Sequence, residues 1–195
     1  GEILGVTGLL GSGRTELALA LFGLEKVESG SIVLNGKEVN ITSPIAAQKM
    51  KIGYVPEDRL TEGLCLQQPI ADNITLSSLK RLSNKFGIIK KQDIIDDANI
   101  WKEKFAIKTD DVRKFASTLS GGNQQKIVLS KWLSNDLDVL ILNGPTVGVD
   151  VIIISDDLSE VVVNCSRVLV MKDGSMVGEM TGEDITEENI LEIIR

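Results

Sequence analysis

Short apolar runs bounded by glycine, proline and acidic turns fill both ends of the chain, and helical periodicity fills the middle. Ile3 to Thr7 reads as a short strand and Glu16 to Phe22 as a helix. Ser31 to Leu34 and Glu38-Val39 flank an Asn35-Gly36 turn, the pattern of a β-hairpin. Ser43-Pro44 starts a short helix with proline at the tolerated first turn. Ile52 to Val55 is a further strand, ending in the polar stretch Pro56-Glu57-Asp58-Arg59. From Leu60 to about Ala116 the period turns helical. Asp72-Asn73 is expected to cap a helix over Ile74 to Leu82. Asp93 is expected to open a longer one, with Ile94, Ile95, Ala98, Trp101 and Phe105 on one face. That stripe reads as core, and the section as a helical insertion between strands of a main sheet.

A further helix follows to about Asn135, with Ile127, Val128, Leu129 and Trp132 as its apolar residues. Asp138 to Leu142 is a continuous apolar strand of the kind found inside a parallel sheet. Val151 to Ile154 is again strand-like, and Leu158 to Val163 reads as a helix. Arg167 to Met171, the Asp173-Gly174 turn and Ser175 to Met180 form a last hairpin, and Thr186 caps a short C-terminal helix. One spacing conflicts with this reading. Parallel neighbours need a crossover of a dozen or more residues, and only Asn143 to Asp150 separate two of the strands. Either these strands are not parallel neighbours, or a helix is missing after Asp150 or Val151; omission is the expectation.

Composition narrows the function classes. The 195 residues are 43% hydrophobic, enough for a substantial core in one domain with a subdomain. The net charge of -7 argues against a nucleic-acid partner, which would need a basic face. Histidine is absent, which removes imidazole metal sites and Ser-His catalysis. No apolar run approaches the ~18 residues of a membrane span, so a membrane role would come through a partner. Cys65 and Cys165 lie far apart and read as free thiols of a reducing compartment. The chain starts at Gly1 without a methionine and is expected to be a piece of something longer.

Two stretches carry chemistry. Gly8-Leu9-Leu10-Gly11-Ser12-Gly13-Arg14-Thr15, between the first strand and first helix, fits the phosphate-loop pattern through Gly8, Gly13 and Thr15. Its glycines let successive N–H groups converge on phosphate oxygens, and Thr15 offers a hydroxyl to Mg²⁺. Arg14 stands where the pattern has lysine. It keeps the charge but replaces a compact ammonium by a planar fork. Leu119-Ser120-Gly121-Gly122-Asn123-Gln124-Gln125-Lys126 opens the helix that runs to Asn135 with bare backbone N–H groups, a ready anion site.

Together with Tyr54-Val55-Pro56-Glu57-Asp58-Arg59 and Val139 to Asp150, these stretches resemble an ABC-transporter ATP-binding domain over essentially the whole chain. The likeness is closest to the second of two such domains fused in bacterial ribose, galactose and xylose-type sugar importers. The resemblance implies an α/β fold: a P-loop NTPase core with a mainly parallel sheet, an antiparallel part, and a helical subdomain at about 60–135 within one domain spanning 1–195. It implies ATP and Mg²⁺ at Gly8, Gly11, Ser12, Gly13, Arg14, Thr15 and Glu16, with Thr15 and Glu57 toward the metal. It also implies a position at the cytoplasmic face of the membrane, and partners: a second ATP-binding domain, expected in the same full-length chain, membrane permease subunits and, indirectly, a sugar-binding protein.

In that family two domains pair head to tail, and each ATP lies between one phosphate loop and the other domain's Ser-Gly-Gly signature. Ser120, Gly121, Gly122 and Gln124 would then serve the partner's ATP, and Asp150 would lie in an interface loop. This chain departs from the family pattern at its own site. Asn143 and Gly144 occupy the positions of the metal-binding Asp and the water-polarising Glu, Glu57 replaces a glutamine, and Asp156 falls near a missing histidine. The expectation is an importer ATPase with an impaired site of its own and an intact signature. The alternative is a non-catalytic dimerisation or regulatory module.

Overall fold

A computed structural model describes residues 2–143 and 151–194. Two compact units make up the chain: Gly1–Tyr54 with Leu137–Arg195, and Val55–Asp136.

The first unit is built on a sheet ordered β4-β5-β6-β1-β7-β8. Its strands are β1 (Ile3–Gly8), β4 (Ile52–Val55), β5 (Val139–Asn143), β6 (Val151–Ile154), β7 (Arg167–Lys172) and β8 (Ser175–Thr181). β1 runs parallel to both β6 and β7, and β5 is parallel to β6. β8 is antiparallel to β7, as the Asp173-Gly174 turn requires. The central strands are continuous Val/Ile/Leu runs because a parallel sheet buries both faces. Val6, Leu140, Leu142, Ile153, Val168 and Val170 are almost wholly buried. Helix α1 (Arg14–Leu21) packs on β1, β5 and β6, and α7 (Leu158–Asn164) on β1. β1 admits α7 through Gly5, where a Cβ would stand 2.8 Å from the Cys165 sulfur. The small hairpin β2–β3 (Ile32–Leu34, Lys37–Val39) turns at Asn35 and Gly36, both at positive φ. Ser43 caps α2 (Pro44–Lys49), and Thr186 caps α8 (Glu187–Ile194) by accepting the Asn189 N–H.

β5 and β6 are parallel neighbours in register, Leu140 opposite Val151 and Asn143 opposite Ile154. The first of the two alternatives for their short connection is thereby excluded. The return path is short: about three residues of strand, roughly 10 Å, plus one strand spacing of about 4.8 Å. The seven residues 144–150 can reach over ~25 Å. Seven residues are too few for the usual crossover of a dozen or more. Gly144 and Asp150 lie in that segment, outside the described residues.

The second unit is helical: α3 (Ile70–Thr75), α4 (Leu79–Leu82), α5 (Lys91–Lys104) and α6 (Gly121–Leu133). Ile70, Ile74, Ala98, Val112, Ala116, Ile127 and Val128 form its core. The expected cap at Asp72-Asn73 is corrected here, since α3 begins at Ile70. Its first N–H groups are satisfied by another backbone segment: Ile70 donates to the Lys114 carbonyl and Ala71 to that of Val112. No side-chain cap is needed, and Asn73 lies inside the helix. Its amide accepts from the Cys65 N–H at 2.8 Å and donates to the Cys65 and Pro69 carbonyls, both at 3.0 Å. α5 starts two residues before Asp93, and its stripe is half-buried around a buried Ala98.

Candidate functional site

The carboxyl ends of β6, β1 and β7 share one edge of the sheet, the place where open α/β sheets bind ligands. Gly8 to Gly13 leave β1 at that edge. Gly8 must be glycine, because a Cβ would stand 2.2 Å from the Met171 carbonyl oxygen and 2.7 Å from the Ser12 hydroxyl. The loop is pinned twice: the Ser12 N–H donates to the Leu9 carbonyl, and the Gly174 N–H to the Ser12 carbonyl, each at 3.0 Å. Gly11 and Gly13 take φ of 80° and 93°, the left-handed region. Gly13 caps α1 without a side-chain acceptor, so the first N–H groups of the helix remain for an anion. Within the loop the Ser12 hydroxyl is buried and makes no hydrogen bond. An orphaned donor, a bare helix start and a left-handed glycine turn together fit a phosphate.

Arg14 is buried, its side chain only 7% exposed. One guanidinium nitrogen donates to the Gly8 carbonyl and another lies 3.1 Å from the Asp156 carboxylate. The topology produces this pair. The Ser155 N–H donates to the Val6 carbonyl, so β6 follows β1 almost to the loop before Asp156 leaves the sheet. Thr15 is half-buried and Glu16 exposed. Asn143 is buried at the carboxyl end of β5, separated from β1 by β6. The oxygens that Thr15 and Asn143 bring to this unit are neutral, and the described residues hold no cluster of three or more His, Cys, Asp or Glu suited to a metal. Glu57 is an exposed residue of the second unit.

The signature stretch opens α6 with Ser120 at the cap position. The Ser120 hydroxyl bonds no backbone N–H of the first turn and instead accepts from the Asn123 amide at 3.0 Å. Ser120 and Gly122 are exposed, leaving the helix start open. Gly121 lies against Arg59, whose terminal nitrogen would be 2.7 Å from any Cβ placed there. Gln124 points the other way: it is buried and donates to the Ala116 carbonyl at 3.3 Å. Arg59 at this helix start, and Asp156 beside the loop, are contacts that motif reading did not supply. Only the pairing of β6 with β1 and the fold of the helical unit bring them in.

The model of the ABC transporter family matches residues 1–147. The chain belongs to that family. Among curated relatives, a ribose import ATP-binding protein RbsA of Clostridium tetani is 39% identical over 98% of this chain and 42% of its own length. The L-arabinose transport ATP-binding protein AraG of Geobacillus stearothermophilus is 39% identical over 100% of the chain. This chain thus spans about two fifths of the length of the relatives it matches. The AraG alignment runs over 216 positions for 195 residues, so it includes about 21 with no counterpart here. The fold is that of solved ATP-binding cassettes. A nucleotide-free cassette from an ABC transporter superposes with a TM-score of 0.78 at 16% identity, covering 98% of this chain and 84% of that one. A cassette in a post-hydrolysis dimer with ADP and phosphate gives 0.74 at 17%, covering 92% and 85%.

Proposed function

We propose that this cassette is the ATP-binding domain of an importer that energises uptake of a sugar, and that its two motifs serve two different ATP molecules. Its own loop, Gly8 to Glu16, binds ATP·Mg²⁺ but turns it over slowly, while Ser120, Gly121 and Gly122 complete the site of a second ATP-binding domain. The carrying observation is the contrast between the two ends. The start of α6 is open and uncapped by any side chain, whereas the cation of the phosphate loop is already held by a carboxylate and the β5 end offers Asn143. An amide there brings no charge to a metal, and the following Gly144 has no side chain to orient water. Gln124 acts by holding the Ala116 segment behind the signature. Relatives named for ribose import and L-arabinose transport support a sugar as the cargo. Permease subunits, a sugar-binding protein and a place at the cytoplasmic membrane face follow from that reading, as do a helical subdomain within one cassette and Asp150 in an interface loop.

The test is hydrolysis by the assembled transporter in proteoliposomes. Ser120→Ala in this domain is expected to cut substrate-stimulated hydrolysis by ~10- to 100-fold, because a donor to a developing charge is lost. Arg14→Ala is expected to cost no more than about twofold, since its site contributes little turnover. Undiminished hydrolysis in Ser120→Ala would end the asymmetric reading.

A further inference from the structure

We propose that Asp156 is an internal competitor for the phosphates of the nucleotide: its ion pair with Arg14 latches the loop's cation, and ATP must exchange that carboxylate for its own oxygens. The inference rests on reading Gly8 to Glu16 as a nucleotide site. Arg14 is the one basic residue of that stretch. Its guanidinium spans the Gly8 carbonyl and the Asp156 carboxylate, so its charge is satisfied within the protein.

Asp156 has no evident structural duty. The neighbouring Asp157 caps α7 by accepting the Glu160 N–H at 3.3 Å. Ser155 donates to the Glu160 carboxylate at 2.7 Å and accepts the Asp157 N–H at 3.1 Å. The turn is therefore fixed without Asp156, whose side chain is 68% exposed and, among the described residues, pairs with Arg14. A phosphate drawn to Arg14 would bring like charge to within several ångströms of that carboxylate. Exposure and salt weaken the repulsion, so the latch lowers affinity modestly rather than abolishing it.

The experiment measures binding of a fluorescent ATP analogue with Mg²⁺ to the 195-residue chain. Asp156→Asn is expected to bind about five- to tenfold more tightly at low salt, and the gain should shrink at about 0.5 M NaCl. Asp156→Glu, which restores the charge, should return toward the parent affinity. Thermal melting of each variant checks that the fold is kept. Equal affinities for parent and Asp156→Asn overturn the latch while leaving the nucleotide site standing. Weaker binding by Asp156→Asn also overturns it, since Asp156 would then be positioning Arg14 for the phosphate. A chain that binds the analogue in no variant overturns the nucleotide reading, and the latch with it.

Discussion

At the scale of single residues, the glycine loop is fixed by contact rather than by turn preference alone. Gly8→Ala drives a methyl against the Met171 carbonyl oxygen, a backbone atom that cannot swing aside. The variant is expected to lose about 1–3 kcal/mol in urea unfolding, the usual range of overpacking inside a tight site. The two thiols should separate cleanly. Cys165 is buried, and burial, with the nearby Glu160 charge, pushes its thiol up to about 11; Cys65 is exposed. At pH 8 iodoacetamide should label Cys65 within minutes and Cys165 only on unfolding, as mass spectrometry would show. The shift has a sign in stability. The folded value lies above the ordinary 9.0, so Cys165 favours the fold fully below pH 9 and the contribution fades as pH rises toward 11. Loop glycines were legible in the sequence because each reports a local backbone need. The Arg14–Asp156 pair was not, because residues 142 positions apart meet only through the pairing of β6 with β1.

At the scale of elements, period and turn chemistry located nearly every strand and helix, and the errors fell at helix starts. Both expected acidic starts in the helical unit were displaced, and at α3 the reason is visible: the sequence shows which side chains could cap but not which backbone carbonyls arrive from elsewhere. At α3 the 112–114 segment supplies those carbonyls, and Asn73 is released to bind the loop before the helix. Asn73 is 3% exposed, and replacing it removes the partner of part-buried backbone groups. Asn73→Ala is expected to destabilise by about 1–3 kcal/mol, leaving a part-buried N–H and two carbonyls with fewer partners. Hydrogen exchange should show the loss concentrated in the Cys65 amide and the first turn of α3. A uniform loss of protection would instead mean that Asn73 acts through the whole domain. Gln124 teaches the same lesson in reverse: its place in the signature reads as ligand-facing, yet its side chain turns to Ala116.

For the whole molecule, the crossover between β5 and β6 is the feature that sequence spacing brought to light and register defined. Seven residues return the chain between parallel neighbours, and the AraG relative aligns over about 21 more positions than this chain has residues. A parallel sheet is stable when both faces are covered, usually by its crossover helices. Ile152, in the middle of β6, is only half-buried, although Leu4 and Ile141 pair with it on either side. Val163 of α7 is 80% exposed. Ile152 faces away from α7, which packs on the Gly5 and Ile153 side, so it is on the Ile152 face that a crossover helix would gain area. Grafting a relative's segment of about 20 residues between Asp150 and Val151 should then cover Ile152 and stabilise the fold. A net gain of about 1–2 kcal/mol would raise Tm by roughly 2–8 °C for a chain of this size. Calorimetry of the grafted chain checks it. An unchanged or lowered Tm would mean that the sheet gains nothing in stability from a longer connection between β5 and β6.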